Sequence, residues 1–381
     1  MLSLNKNLLF LIALTLCSTL VSGCSSEEDP GGTDPSDASN ASDPSDNSDA
    51  PEPTDPSDSS EPSDSTDPSD DNDTSCSDRE TFQARIQELQ ESFDTITNGV
   101  GEYPLGVSLP EATNGTLEIT LNPHALPLVY DDHGVFAAAS KLGSGRVVAF
   151  SGQDFISSGD RSTLLGVGDV DKLLTNAASW ASQLEVPADA SVLVANDAVA
   201  SVLLSSGFTQ VAVADAFLAS GLWEVRDWSA ENLAGKDLAV VQVNEWGTLH
   251  LDPVDIANLR AFVENGGGLI IAGSALHWSW WLSDSASDFP ANLLLEGTGI
   301  RWNANDVPDL SDARSTFDPL SPPDALWCAY IAGEELDASQ FARLPGVFDS
   351  ALQMNRTDEV NEALTRMILE TPSLPVTASS P

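Results

Sequence analysis

The chain has 381 residues, 41% of them apolar, and carries 59 acidic side chains against 15 lysines and arginines, a formal net charge of -44. This length and apolar share suffice to bury a large core in one domain or two. The charge excludes nucleic acid as a partner, because phosphate binding needs basic surface.

At the front, Lys6 precedes an apolar stretch from Leu8 to Leu20 that gives way to small residues, the layout of a secretory signal. The stretch is too short to remain as a membrane span. Leu20-Val21-Ser22-Gly23-Cys24 resembles a bacterial lipobox, so residues 1–23 are expected to be removed and Cys24 acylated, with the lipid bilayer as its partner. Ser25, rather than an aspartate, follows the cysteine, which points to the outer membrane of a bacterial cell envelope, on its periplasmic or its outer face. An ordinary cleaved signal that ends in cysteine is the alternative.

Residues 24–77 form the next segment, built from units such as DPSD and EPSD. From Ser25 to Ser75 it has 17 acidic residues, no lysine or arginine and almost nothing apolar, so it is expected to stay a disordered tether. With Lys6 and those 17 residues set aside, 14 basic and 42 acidic residues remain, and the rest of the chain still carries a net charge of -28. Cys17 and Cys24 belong to the front segment, which leaves Cys76 and Cys328. In an oxidising compartment two remaining thiols are a natural pair, the alternative being two separate reduced cysteines.

The folded part begins with a predicted amphipathic helix over 78–98, with Phe82, Ile86, Leu89, Phe93 and Ile96 spaced for one face. TLEITL reads as a strand, and GVFAAASKLGSGRVVAFSG as two β-like runs joined at Gly143-Ser144-Gly145, a hairpin. That glycine pair opens no helix and lacks the nucleotide fingerprint, so no cofactor is expected. From Asp171 onward helices alternate with short apolar strands. DKLLTNAASWAS is helical, SVLVAN a strand, AVASVLLSSG helical, and TQVAVAD and DLAVVQVNE are strands. DPVDIANLRAFVENGG is helical, with Asp252-Pro253 as its start and Gly266 to Gly268 as its stop, and GLIIAG is a strand. This alternation implies an α/β fold, an open and mostly parallel sheet covered by helices on both faces. Beyond Trp302 the chain reads as less regular, with DPLSPPD as a breaker and DEVNEALTRMIL as a last helix. The domain is set at 78–303 and a helical extension at 304–381.

The segments GVFAAASKLGSGRVVAFSGQDFI, DKLLTNAASWAS, DLAVVQVNEWGTL, LRAFVENGGGLIIAGSALHWSWW and FPANLLLEGTGI keep an order, over roughly residues 125 to 303, that resembles the amidotransferase-like domain of TRP-channel-associated factors and bacterial enhancin-like metallopeptidases. The resemblance implies a flavodoxin-like, class I glutamine-amidotransferase-like fold without a working glutaminase. In those relatives the domain precedes a zinc peptidase. This chain departs from that layout: His124, His133, His250 and His277 are its four histidines, and no two have the His-Glu-x-x-His spacing of a peptidase zinc site. No metal is therefore expected, and a peptidase would have to come from a separate chain that this one accompanies.

A glutaminase needs a cysteine at the turn after the GLIIAG strand and a histidine downstream. That turn reads Gly273-Ser274-Ala275-Leu276-His277, and no histidine follows His277. A serine hydrolase using Ser274 as nucleophile and His277 as base is the catalytic alternative, weakened by Leu276 standing where G-x-S-x-G has its second glycine. The other reading has Ser274 capping the next helix and His277 packed among tryptophans.

Ligands of open parallel sheets settle at the carboxyl ends of the strands. Those ends collect Asn196, Asp197, Asn244, Glu245, Trp246, Ser274, His277 and Trp278, a mixture of amides, carboxylates and flat aromatic faces that suits a sugar ring. Tryptophans filling core is the alternative. The expectation is a membrane-anchored, non-catalytic domain that binds a glycan or an envelope protein.

Overall fold

A computed structural model describes residue 76 and residues 79–101, 115–131, 134–157, 163–219, 223–243, 251–282, 285–304, 313, 315–354 and 356–370. All belong to the unit Thr74–Pro381. Cys24 and the rest of the expected signal and tether, up to residue 75, lie outside them. No helix among the described residues is long and apolar enough to cross a membrane.

The first element is helix α1, Arg79–Ile96. Its apolar stripe divides between two partners: Leu89, Phe93 and Ile96 enter the main core, whereas Phe82 packs against the C-terminal helices. Burying a side chain of this size stabilises by roughly 1.5–3 kcal/mol. Strands β1 (Leu117–Ile119), β2 (Leu126–Tyr130), β3 (Val135–Leu142) and β4 (Gly145–Phe150) follow. β3 and β4 form the hairpin, with Leu142 opposite Gly145 and Gly143 at φ 57°, the left-handed conformation that a tight turn asks of glycine.

Helix α2 (Val170–Ser182), strand β5 (Ser191–Val194), helix α3 (Asp197–Ser205) and strand β6 (Gln210–Val213) come next. A small antiparallel pair, β7 (Ala216–Ala219) with β8 (Trp223–Arg226), and the short helix α4 (Ala230–Leu233) lead to β9 (Leu238–Gln242). Helix α5 (Pro253–Glu264) starts where the sequence indicates: the Asp252 carboxylate accepts the N–H groups of Val254 at 2.7 Å and Asp255 at 2.8 Å. Strand β10 (Gly268–Ala272) is followed by α6 (Ala275–Leu282), α7 (Pro290–Leu294) and β11 (Ile300–Trp302).

Nine strands form one mixed sheet in the order β11-β1-β3-β4-β10-β9-β5-β6, with β2 also on β3. Its centre is parallel: β4, β10, β9, β5 and β6 run the same way. β5, β6, β9 and β10 thus follow a 2-1-3-4 order, and β4, from the front of the chain, fills the fifth place of the flavodoxin-like arrangement. The hairpin joins the sheet, with β4 in its middle. Every residue of β9 and β10 is buried, as expected of strands covered on both faces. Val148, Val194, Val240 and Ile270 face one core with α1, α2 and α3. Val147, Leu193, Val241 and Ile271 face the other with α5 and α7. Close approach explains one glycine of the stop after α5, since a Cβ on Gly268 would lie 2.4 Å from the Ala181 carbonyl.

Beyond Trp302 the chain is more regular than its sequence suggests. It forms α8 (Pro323–Ile331), α9 (Ala338–Gln353) and α10 (Thr357–Glu370), which share a third core. α8, PDALWCAYI, is apolar all round because it is buried from Asp324 to Tyr330, so it carries no stripe to read. Two links tie it to the front of the fold. Cys76 and Cys328 form a disulfide with their Cα atoms 4.9 Å apart, and Arg85 Nη1 donates to Asp324 Oδ2 at 2.7 Å.

Candidate functional site

The chain leaves β5 toward β6 and later returns to lay β9 on the other side of β5. A sheet with this order opens a crevice between the two strands at their carboxyl ends, where ligands of such folds bind. Asn196 follows β5 there and is 6% exposed. Its Oδ1 accepts the Val199 N–H at 3.0 Å, capping α3, and its Nδ2 donates to the Ile156 carbonyl at 2.7 Å and to Gln242 Oε1 at 3.1 Å. Gln242 is the last residue of β9, so a single amide joins the strands on both sides of the crevice to the turn after β4. That turn, Gln153–Phe155 and its continuation, buries Gln153, Asp154 and Ser157. The Ser157 hydroxyl has no hydrogen-bond partner among the described residues. Asp197, beside Asn196, is exposed.

Three of the expected ligand residues, Asn244, Glu245 and Trp246, follow β9 in the sequence and lie outside the described residues. Where the chain returns, Asp252 and Asp255 begin α5. Burial, and then the charge of Asp252, pushes the Asp255 carboxyl up to about 6, and Asp227 adds to the effect. Asp255 also accepts the Asp252 N–H at 3.4 Å, which completes a capping box.

Ser274 follows β10, one strand away from the crevice. It has no exposed surface. A Cβ on Gly115 would sit 3.7 Å from Ser274 Oγ and 3.6 Å from the carbonyls of Ser151 and Asn303, so the hydroxyl lies beneath the chain that enters β1. On the other side of the turn, Gly273 faces the Phe289 ring and the Val243 carbonyl, with a Cβ placed 2.8 and 3.0 Å from them. The turn is closed over, and Ser274 has no positive φ, so the strained backbone of a nucleophile elbow is absent. His277 lies in α6, and its side chain is outside the described residues. Trp278 stands edge-on to Phe289 at 5.9 Å, and Phe289 edge-on to Trp302 at 5.8 Å, a ladder ending where Trp302 Nε1 donates to the Phe150 carbonyl at 3.2 Å. Trp278 is therefore partly built into the core instead of standing clear as a ligand platform.

The structure thus brings Asn196 and Asp197 to the crevice, sets Ser274 and Trp278 apart from it, and adds Gln242 and, through the Ile156 carbonyl, the turn that carries Ser157, which the sequence reading did not single out. The available signal was modest: a glutamine closing the apolar run LAVVQ, and QD directly after GRVVAFSG. Among the described residues no group of three or more histidine, cysteine, aspartate or glutamate side chains could hold a metal ion.

No protein-family model matches the chain, and neither does any curated protein. Among solved structures, the IMPa metallopeptidase from Pseudomonas aeruginosa is similar with a TM-score of 0.41 and 16% identity, over 70% of this chain and 27% of that one. IMPa in complex with an O-glycopeptide gives 0.39 and 18%, over 60% and 24%. IMPa in complex with T-antigen gives 0.38 and 16%, over 63% and 25%. The chain spans about a quarter of the length of these metallopeptidase structures.

Proposed function

We propose that this chain is a lipid-anchored envelope protein whose α/β domain binds a glycan at the β5–β9 crevice and does not catalyse its turnover. The observation that carries the non-catalytic half is the burial of Ser274, the hydroxyl at the turn where a nucleophile would stand. Acyl transfer needs a nucleophile that a substrate can reach. Cys76 and Cys328 do not supply one, since they are bonded to each other.

For binding, the Gln242 amide and the Ser157 hydroxyl, which has no hydrogen-bond partner among the described residues, lie beside Asn196 in a buried setting, and Asn244, Glu245 and Trp246 follow β9 in the sequence. Amides and hydroxyls beside an aromatic residue are the groups that hold sugar hydroxyls and a C–H face. An envelope protein with a polar loop is the competing partner class. The anchor rests on the Cys24 sequence pattern.

Calorimetric titration of the domain with an O-glycopeptide and T-antigen, the ligands in the IMPa complexes, tests the glycan. Binding that is lost in Trp246→Ala supports it. No heat at about 10 mM ligand sinks it. A fluorophosphonate probe tests catalysis: labelling that disappears in Ser274→Ala would restore the serine hydrolase with His277. Mass measurement of the mature N-terminus tests the acylated Cys24.

A further inference from the structure

Two helix ends flank the crevice. α3 begins directly after β5 and packs on one face of the sheet through Val199 and Leu203. α5 follows β9 and packs on the other face through Leu259 and Val263. Only three residues separate the last residue of α5 from Gly268, which is in register with Leu238 at the start of β9. The N-terminus of α5 therefore lies at the carboxyl ends of the strands, as that of α3 does. Unpaired N–H groups and aligned peptide dipoles make such ends positive, and in sheets of this order they are where phosphates and other anions settle.

In this chain carboxylates already occupy both ends. Asp197 is the first residue of α3 and is exposed. At α5, Asp252 accepts the N–H groups of Val254 and Asp255, and Asp255 accepts that of Asp252. The acidic charge exceeds what one helix end neutralises, because the half-buried Asp255 carboxyl is pushed up to about 6, by burial first and then by Asp252, with Asp227 adding to it. Two cations of this edge are engaged elsewhere. Arg226 Nη1 donates to the Ala214 carbonyl at 3.1 Å, and Lys172 Nζ donates to Asp169 Oδ1 at 2.8 Å and to the Gly99 carbonyl at 2.6 Å. Between the two helix ends stand uncharged groups: the amides of Asn196 and Gln242, and on the adjoining turn the Ser157 hydroxyl, 7% exposed and without a hydrogen-bond partner among the described residues.

We infer that the crevice selects its glycan by charge, taking a sugar that has no carboxylate, sulfate or phosphate group and rejecting the same sugar when it carries one. This rests on the glycan reading of the crevice proposed above. An anionic ligand would meet Asp197 on one side and Asp252 with Asp255 on the other, where both helix ends are already satisfied. Amides and a hydroxyl, which donate and accept without charge, match sugar hydroxyls instead. Repulsion of this kind is felt across a crevice at low ionic strength and is screened by salt.

Calorimetric titration of the domain with three forms of T-antigen tests the inference: unmodified, carrying one sialic acid, and carrying that sialic acid as its methyl ester, which has the bulk without the charge. The expected result is that the acid form binds about tenfold more weakly than the ester at about 50 mM salt, and that the gap closes at about 500 mM. Asp197→Asn/Asp252→Asn, in which asparagine still caps α5, should shrink the gap to less than about threefold. Glu185→Gln/Asp189→Asn, an equal loss of charge just before β5 at the opposite edge of the sheet, should leave it unchanged. Asp197→Asn alone, at an exposed position, serves if the double variant fails to fold. Equal or tighter binding of the acid, or a gap that neither salt nor the crevice variant moves, would overturn the inference and leave the glycan reading standing. Absence of binding by all three forms would also sink it, and the O-glycopeptide titration then decides the glycan reading separately.

Discussion

Asn196 and Gln242 meet across the crevice, with the Asn196 Nδ2 donating to Gln242 Oε1 at 3.1 Å while the same amide holds the Ile156 carbonyl and caps α3. One side chain therefore satisfies three polar groups in a buried place. Asn196→Ala removes the cap and leaves the Ile156 carbonyl and the Gln242 amide without it. The expected loss is about 2–3 kcal/mol, from a cap of about 1 and buried groups left unmade. Urea unfolding measures it, and a loss below about 0.5 kcal/mol would show that the amide is not holding the crevice together.

Asp324 is 1% exposed and owes its charge to Arg85. Burial raises its carboxyl above the ordinary value, against the pull of Arg85 and Arg356. A raised folded value means that the protonated form is favoured in the folded state. Its stabilising share is complete below the unfolded value and lost as pH rises through the folded one. Arg85→Met exaggerates this, since it leaves the carboxylate buried and unpaired at neutral pH. The expected cost is about 3 kcal/mol at pH 7, shrinking as pH is lowered toward the carboxyl range. Melting curves at several pH values decide it; a cost that does not change with pH would contradict the ion-pair account.

Asp255 titrates at about 6 in the folded chain against a reference of 3.8. Between those values the folded state holds the additional proton, so stability falls as pH rises through that window. Asp255→Asn keeps an acceptor for the Asp252 N–H and removes the repulsion from Asp252 and Asp227. The variant should be more stable than the parent at pH 7, by less than about 1 kcal/mol because the side chain is half-exposed. It should also lose the parent's slope over that window, as read from unfolding midpoints. An unchanged slope would assign the proton elsewhere.

The Cys76–Cys328 bond closes 252 residues of chain. Constraint of the unfolded state over so long a loop is worth up to about 5 kcal/mol on the chain-entropy model. Cys328→Ser, or reduction, should therefore lower the melting temperature by several degrees, with α8 and the start of α1 becoming more exposed to hydrogen exchange. Equal melting temperatures with and without reductant would mean that the third core and the Arg85–Asp324 pair hold the extension unaided.

Much of the local structure was legible in the chain itself. The stripe from Phe82 to Ile96, the turn at Gly143, the start of α5 at Asp252-Pro253 and the alternation from α2 to β10 follow from spacing, capping and backbone freedom, which neighbouring residues settle. β2, β7, β8, α4, α7 and β11 were too short to read, α8 is apolar on every side, and α9 carries Pro345, a breaker, inside its 16 residues. The tether's composition and the Cys24 pattern are likewise properties of sequence alone. Tertiary structure decided that β4 fills the fifth place beside β10, that Gln242 meets Asn196, and that Gly115 closes over Ser274. Those outcomes join segments from about 46 to 159 residues apart, and such distant contacts depend on how the whole sheet is ordered, which no local periodicity encodes. Whether a serine at a turn is a nucleophile or a sealed core residue is set by what packs over it.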